Sequence, residues 1–363
     1  MKEGVEMRSP FADLLKEVAR GARGARHLTF TEAREAADAI LDHTASSAQI
    51  GAFLTAERIK TESAEELLAF SSALRSRCED TGGQWLSEDG LDIVDPFDGR
   101  RKSFLSAIPA GFILRSLGIP VLFHGVLKSL PPKRGTGLYD VLQALNLPLF
   151  TGEADSKTVY QHCGSAFVNT EAICPPLGRL RVLREELSMR TLFNTVEKTL
   201  NPAGNARVIT GMFHQSRHHV LKDFLSHLTH YREILLVVGV EGSGDLFVHR
   251  PSVVWKINPR SETAQEFEID PRAARLNPVV NRLSMTTEEQ AQATQTILAG
   301  EPHPLRDLVL LNAGVGLWLM GHTPSWTEGV EAAQEAVDGG LVASLLQKWR
   351  ENSQFFVDRL SSD

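Results

Sequence analysis

Residues 106–125 read SAIPAGFILRSLGIPVLFHG, in which a helical pattern is followed by a short apolar run that ends in His124 and Gly125. The same alternation continues on both sides. LDIVDP precedes this stretch, GLYDVLQALN follows it, and HVLKDFLSHLTHY later leads into REILLVVGVEG and SVVWKIN. Helical patterns that alternate with short apolar strands predict βαβ units and a mostly parallel central sheet flanked by helices. The ligand site of such a sheet is expected at the carboxyl ends of its strands.

The chain begins with a different pattern. From Phe11 to about Arg77 apolar residues recur every three or four positions, which indicates amphipathic helices, and Thr29, Thr31 and Ser63 stand where hydroxyls could cap helix starts. A second helical segment runs PPLGRLRVLREELSMRTLFNTVEKTLNPAGN. We therefore predict a small all-helical domain over residues 1–79, joined by helices of about 176–204, and a large α/β domain over 80–175 and 205–363.

Composition narrows the class of protein. No stretch reaches the roughly 18 uncharged apolar residues of a membrane span, so we expect a cytoplasmic protein without a membrane partner. The cysteines at 78, 163 and 174 are widely spaced and lack CxxC pairing, which predicts neither a disulfide framework nor a zinc site. A net charge of -7 gives no global attraction to nucleic acid, but it is compatible with a local basic surface.

Ordered sequence matches extend over nearly the whole chain. SSAQIGAFLTAERIKTESAEELLAF at 46–70 is similar to a helix pair of the anthranilate phosphoribosyltransferase family. Further matches are DIV at 92–94, LGIPVLFHG ending at 125, DVLQALN from 140, REELSMRTLFN at 184–194, NPA at 201–203, RDLVLLNAGVGLWL from 306 and EGVEAAQEAVDGG from 328. The chain thus resembles this family from its helical opening to its C-terminal part.

The resemblance implies a homodimer formed through the helical domain and a sugar-phosphate site in the cleft between the domains. It also implies transfer of phosphoribose from phosphoribosyl pyrophosphate, with bound Mg²⁺, to an aromatic amine such as anthranilate in tryptophan biosynthesis. Such a transfer needs little covalent participation from protein side chains, since binding, charge neutralisation and orientation carry it. We therefore assign no catalytic side chain.

The phosphate-binding loop departs from the family pattern. Family members read GTGGDG after DIV, because glycines let backbone N–H groups approach the pyrophosphate. Here the segment is Asp95-Pro96-Phe97-Asp98-Gly99-Arg100, in which proline removes a donor and two aspartates bring negative charge. Side-chain cations from Arg100, Arg101 and Lys102 could compensate.

Two more donor motifs are altered. In the family's GxDGLDE stretch, which holds magnesium, Asp245 aligns with one carboxylate, Leu246 replaces the other, and Glu241 is a candidate substitute. The family's HGN and Ser-rich loop here reads HGVLKSLPPKRGTGLYD. The candidate donor-site residues are therefore Asp95, Asp98, Gly99, Arg100, Arg101, Lys102, His124, Gly125 and Lys133; the candidate metal ligands are Asp245 and Glu241, and the candidate acceptor-site residue is Arg184, which matches the family's anthranilate-contacting arginine.

Three hypotheses remain open. The central cleft could bind an anionic sugar phosphate, with altered or weakened transferase activity. DPFDGR, PPKRG and CPPL together most resemble the YbiB-type branch of the family, whose members lack the usual donor motifs and are associated with nucleic-acid binding. In the second hypothesis basic residues of two loops therefore bind single-stranded nucleic acid, namely Arg100, Arg101, Lys102, Lys133 and Arg134. The third is a structural paralogue without a ligand.

Overall fold

The computed structural model describes residues 10–360, except residues 22, 79–84, 86–88, 148, 150–152 and 280–282. Two compact units are formed, a helical unit of Met1–Glu79 and Cys174–Leu200 and an α/β unit of Asp80–Ile173 and Asn201–Asp363. The predicted fold class, a small helical part plus a large α/β part, is confirmed. The predicted first boundary, at residues 79–80, lies outside the described residues.

In the described part of the helical unit there are four N-terminal α-helices and three later ones, and a short 3₁₀ helix at Glu197–Thr199 follows the last of them. Their bounds are α1 Pro10–Ala19, α2 Phe30–Leu41, α3 Ser47–Lys60, α4 Ala64–Arg75, α9 Pro175–Arg179, α10 Arg181–Leu187 and α11 Phe193–Val196. Thr29 and Ser63 cap α2 and α4 as predicted, each in a capping box with a glutamate three residues later, whereas Thr31 lies inside α2. Aromatic side chains form the core, in the order Phe11, Phe53, Phe70 and Phe193, with ring centroids 5.4, 6.1 and 5.7 Å apart.

The α/β unit is built on a seven-stranded sheet of order β3-β2-β1-β4-β5-β6-β7. The parallel strands are β1 Leu91–Val94, β2 Val121–Gly125, β3 Ser165–Asn169, β4 Arg207–Met212 and β5 Glu233–Val238. An antiparallel hairpin, β6 Ser252–Asn258 and β7 Thr263–Ile269, extends the sheet at β5. SVVWKIN therefore forms the predicted strand, β6, but it is antiparallel to β5.

Helices cover the sheet and bury its apolar side chains. They are α5 Ala107–Ser116, α6 Leu138–Ala144, α7 Glu153–Cys163, α8 Thr170–Ile173, α12 His218–Ser226, α13 Thr287–Leu298, α14 Arg306–Leu319, α15 Trp326–Asp338 and α16 Leu341–Leu360. Close packing depends on Gly111 in α5, because a Cβ there would lie 2.5 Å from the Phe123 ring of β2. No helix of the described part is both long and apolar enough to cross a membrane.

The parallel strands place several loops at one edge of the sheet. Asp95 follows β1, Val126 follows β2, Phe213 follows β4 and Gly239 follows β5, so all four loops begin at carboxyl ends of parallel strands. This is the edge at which open α/β sheets bind ligands. Most of the predicted donor-site residues belong to these loops, whereas His124 and Gly125 are the last two residues of β2.

Candidate functional site

Arg100 is the centre of a buried ion cluster in the loop after β1. Its side chain is fully enclosed, and its Nε donates to both carboxylate oxygens of Asp95 at 3.0 Å. Nη1 donates to Asp245 Oδ2 at 2.6 Å and to the Phe104 carbonyl at 3.1 Å, while Nη2 also donates to Asp95. Asp245 lies in the loop after β5, so the guanidinium joins two loops of the same sheet edge.

In this cluster one guanidinium faces two carboxylates. Burial raises the pKa of Asp95, and the Arg100 guanidinium opposes that shift. Burial alone would lower the pKa of Arg100, but the carboxylates of Asp245 and Asp95 raise it instead and keep the guanidinium protonated. Asp245 Oδ2 also accepts a hydrogen bond from the Ser106 hydroxyl. The carboxylates are therefore committed to internal donors.

Glu241, in the loop after β5, places its carboxylate against hydrogen-bond donors of the loop after β1. Its carboxylate accepts hydrogen bonds from the backbone N–H of Arg101 at 3.2 Å, from the N–H of Lys102 at 3.2 Å and from Ser103 Oγ at 2.7 Å. Burial opposes ionisation, but the bonds from Ser103 and the Lys102 amide lower the pKa of Glu241 below its ordinary value. Successive backbone N–H groups that converge in this way form a typical cradle for phosphate or carboxylate. We call these two amides and the Ser103 hydroxyl the amide cradle.

The Glu241 backbone is held in an unusual conformation to reach the cradle. Its φ is 52°, in the left-handed region that non-glycine residues rarely adopt, and Gly242 follows with φ 85°. The Lys133 ammonium lies 3.4 Å from the Glu241 carbonyl oxygen and 3.4 Å from Asp98 Oδ1. The loops after β1, β2 and β5 are thus tied together by charged and polar contacts.

The loop after β2 also pairs directly with the loop after β1. Arg100 and Thr136 exchange both backbone hydrogen bonds at 2.9 Å, and the Gly135 N–H donates to the Asp98 carbonyl at 3.0 Å. Gly99, with φ 70°, permits this approach, because a Cβ there would lie 2.4 Å from the Gly135 oxygen. The predicted glycine of the donor loop therefore serves backbone pairing.

His124, the fourth residue of β2, is completely buried. Its ring contacts Phe97 edge-to-face with centroids 6.3 Å apart, and neither ring nitrogen has a hydrogen-bond partner within the described part of the chain. Burial lowers the pKa of His124 to about 3, so the imidazole is neutral. Gly125, the last residue of β2, pairs with Asn169 of β3.

Arg184 belongs to α10 of the helical unit. Its guanidinium forms a bidentate pair with the Glu197 carboxylate, at 2.7 Å from Nη1 and 3.1 Å from Nη2, and both side chains are buried. The predicted contact with an acceptor carboxylate stays a prediction. Because a guanidinium has five N–H donors, pairing with Glu197 leaves donors that a ligand could use.

The α/β unit brings most of the predicted site residues together, but with roles that the sequence did not reveal. Asp95, Arg100 and Asp245 form one cluster, whereas Glu241 fills the amide cradle. The side chains of Arg101 and Lys102 are exposed. Sequence reasoning missed Ser103 of the loop after β1, Ser106 directly before α5, and Asn312 of α14, which donates to Ser106 Oγ at 3.3 Å. No sequence motif marks such isolated polar residues.

Magnesium requires free oxygen ligands, usually carboxylates together with phosphates of the ligand. Within the described ranges, no three His, Cys, Asp or Glu side chains gather where a metal ion could be held. Asp245 Oδ2 is bonded to Arg100 and Ser106, and Glu241 to the amide cradle. Among the described residues both candidate ligands thus bond to internal donors, and their binding of magnesium stays a prediction.

Comparison with known proteins gives consistent matches over the chain. The "Glycosyl transferase family, helical bundle domain" profile matches residues 12–78, and the "Glycosyl transferase family, a/b domain" profile matches residues 99–343. Anthranilate phosphoribosyltransferase 2 of Ralstonia nicotianae is 30% identical, over 85% of this chain and 88% of its own. The anthranilate phosphoribosyltransferase of Dehalococcoides mccartyi (strain 195) is 28% identical, over 91% of this chain and 95% of its own.

Solved structures show the same fold. The anthranilate phosphoribosyltransferase of Thermus thermophilus superimposes with a TM-score of 0.79 at 23% identity, covering 94% of this chain and 99% of its own. The Saccharomyces cerevisiae enzyme, in complex with phosphoribosyl pyrophosphate and magnesium, gives a TM-score of 0.79 at 19% identity, covering 95% of this chain and 99% of its own.

Proposed function

The chain belongs to the glycosyl transferase family that includes the anthranilate phosphoribosyltransferases, and from this premise we propose that it is a phosphoribosyltransferase-type protein with a weakened donor site. The ligand of that site is phosphoribosyl pyrophosphate or another anionic sugar phosphate. One observation carries the proposal: Glu241 fills the amide cradle of the loop after β1. An incoming phosphate must displace this carboxylate.

The cost of displacement sets the size of the effect. Hydrogen bonds to a charged group contribute about 1.5–3 kcal/mol each, and the phosphate re-forms those of the amide cradle while Glu241 loses them. A net cost of about 2–3 kcal/mol corresponds to a loss of roughly 30- to 150-fold in donor affinity. Exposed cations of Arg101 and Lys102 partly offset this cost by attracting the phosphates.

The remaining residues have supporting roles in this proposal. Arg100, held by Asp95 and Asp245, fixes the shape of the loop after β1. Arg184, which pairs with Glu197, is the proposed contact for the carboxylate of an aromatic amine. Magnesium enters with the donor, as a counterion of its phosphates.

A transferase assay tests the proposal directly. Consumption of anthranilate in the presence of phosphoribosyl pyrophosphate and magnesium should be slow and saturable in donor, and donor binding should raise the thermal midpoint of the protein. The absence of both turnover and a thermal shift at millimolar donor would refute a retained donor site. Turnover with tight donor binding would refute the weakening.

A second candidate function is binding of single-stranded nucleic acid, as in the YbiB-type branch. Its specific support is an exposed aromatic side chain at the same edge of the sheet as two exposed cations. Phe213 is 59% exposed, and its Cβ lies 3.4 Å from the position that a Cβ of Gly242 would take. The residue before Gly242 is Glu241, whose carboxylate accepts from the Arg101 and Lys102 amides. Aromatic rings that stack on bases, next to basic groups that bind phosphates, are typical of such sites.

Salt dependence distinguishes this candidate. An oligonucleotide should bind more weakly as salt rises, and the double variant Arg101→Ser, Lys102→Ser should reduce the slope of log affinity against log salt by about 1–2. Arg260→Ser is the matched control, since this exposed arginine lies in the turn between β6 and β7, at the opposite edge of the sheet. Salt-independent binding, or an equal effect of the control, would exclude this function.

We also propose that the helical unit forms the homodimer that the family resemblance implies. A groove of about 900 Å³ is lined by small side chains of α3, among them Ala48, Gly51 and Ala52. Ile59 of the same groove is 75% exposed. Ile59→Glu should shift the sedimentation coefficient from dimer to monomer, whereas Leu341→Glu, a change at another exposed apolar residue, should not.

A further inference from the structure

Cys78 and Cys174 lie together although they are far apart in sequence. The Cys174 sulfur is 3.9 Å from the Leu74 carbonyl oxygen, and the Cys78 backbone N–H donates to the same oxygen at 3.0 Å. Cys78 follows α4 and is partly exposed, whereas Cys174 directly precedes α9 and is buried.

The charged surroundings favour a reactive sulfur. The hydrogen bond from Cys78 lowers the pKa of Cys174, burial opposes this shift, and the guanidinium groups of Arg179 and Arg77 support it. Cys163, in the α/β unit, has the opposite environment, because burial raises the pKa of its thiol. The chain therefore offers a pair of neighbouring cysteines, one of which has a lowered pKa, and a third cysteine as an internal control.

We propose that Cys78 and Cys174 are a redox-sensitive pair that forms a disulfide under oxidising conditions. The inference is independent of the proposed function. Cys78 is the last described residue before the chain leaves the helical unit, and Cys174 is the first residue after its return. The bond would covalently close the loop that contains residues 79–173.

A small-molecule disulfide such as oxidised glutathione is the oxidant. The Cys78 thiolate attacks one sulfur of the oxidant, forms a mixed disulfide and releases one glutathione thiolate. The Cys174 thiolate then attacks the Cys78 sulfur and releases the second glutathione. Two protons from the protein thiols end on the two glutathione molecules, so the protein is oxidised by two electrons and the oxidant is reduced by two.

Mass spectrometry of the full-length protein tests the pair. Treatment with oxidised glutathione should lower the mass by about 2 Da, and alkylation after unfolding should then label Cys163 alone. Cys163→Ser should still lose this mass. Cys78→Ser and Cys174→Ser should not, and Cys78→Ser should not acquire the mixed disulfide.

Peptide mapping makes the test independent of folding defects in the variants. A disulfide-linked peptide containing Cys78 and Cys174 from the oxidised wild-type protein would support the pair, and reduction with dithiothreitol should restore both thiols. Full alkylation of all three cysteines after oxidation would overturn the proposal. So would a linked peptide that contains Cys163, or only mixed disulfides with glutathione.

Discussion

Replacing Arg100 by methionine should strongly destabilise the α/β unit. Methionine fills a similar volume but leaves Asp95 and Asp245 buried without their cation, and both carboxylates are at most 3% exposed. Removing one partner of a buried ion pair typically costs about 3–5 kcal/mol, because the remaining charge is uncompensated. The lost bond to the Phe104 carbonyl adds about 1 kcal/mol. We therefore expect Arg100→Met to lower the free energy of unfolding by about 4–6 kcal/mol at pH 8.

The adjacent arginine supplies a matched control. Arg101 is exposed and uses only its backbone N–H in the site, so Arg101→Met should change the free energy of unfolding by less than about 0.5 kcal/mol. Urea denaturation at pH 8 and pH 5 is the assay. In Arg100→Met the pKa of Asp95, which burial already raises, loses the opposing effect of the guanidinium, so the folded variant binds a proton more readily and its deficit should be smaller at pH 5.

A rescue experiment separates the charge effect from the loss of packing. Asp95→Asn and Asp245→Asn, added to Arg100→Met, should recover part of the lost stability, because neutral amides cost less to bury than carboxylates. Equal stabilities of Arg100→Met and Arg101→Met would refute the buried cluster. A deficit that grows from pH 8 to pH 5 would refute its electrostatic origin.

Two further predictions concern pH. Burial, with repulsion from Glu66, raises the pKa of Glu57 in the helical unit to about 8 from an ordinary 4.5; its stabilising effect is complete below pH 4.5 and is lost as the pH rises to 8. Glu57→Gln should abolish this decline in the free energy of unfolding, which is on the order of 3 kcal/mol between pH 5 and pH 8. The same pH dependence for wild type and Glu57→Gln in urea denaturation would contradict this prediction. His124 has the opposite sign: its pKa is lowered to about 3 from 6.5, so its stabilising effect is present above pH 6.5 and is lost as the pH falls toward 3. As the pH falls from 7 to 4, the free energy of unfolding of His124→Phe should rise by on the order of 3 kcal/mol relative to that of wild type. Parallel pH profiles of the two proteins would show that His124 does not titrate in this way.

The sequence predicted the fold class because its signals are local. Alternating helical and apolar patterns define the βαβ units, and hydroxyl-plus-glutamate capping boxes mark the starts of α2 and α4. The direction of β6 was not predictable from its residues, since an apolar run of seven residues fits a parallel or an antiparallel neighbour. The connection from β5 to β6 spans residues 239–251, which is about the minimum length of a parallel crossover, so its length does not decide the direction either.

The site residues were predictable by position but not by partner. Asp95 and Arg100 are five residues apart, yet the third member of their cluster, Asp245, is 145 residues from Arg100. Glu241 was predicted as a metal ligand that could substitute for the family's second carboxylate, replaced here by Leu246, whereas the structure places the Glu241 carboxylate on the amides of Arg101 and Lys102. Such pairings depend on which loops meet at the sheet edge, and that information is absent from spacing.

The central claim is tested most directly by calorimetric titration of the protein with phosphoribosyl pyrophosphate in the presence of magnesium. The titration compares wild type, Glu241→Gln and the control Glu335→Gln, which changes an exposed glutamate of α15. Glutamine at 241 accepts fewer bonds and carries no charge, so the donor should displace it more readily. We predict donor binding at least about tenfold tighter for Glu241→Gln than for wild type, and wild-type affinity for Glu335→Gln. Equal or weaker donor binding by Glu241→Gln would contradict the claim that Glu241 competes with phosphate for the amide cradle.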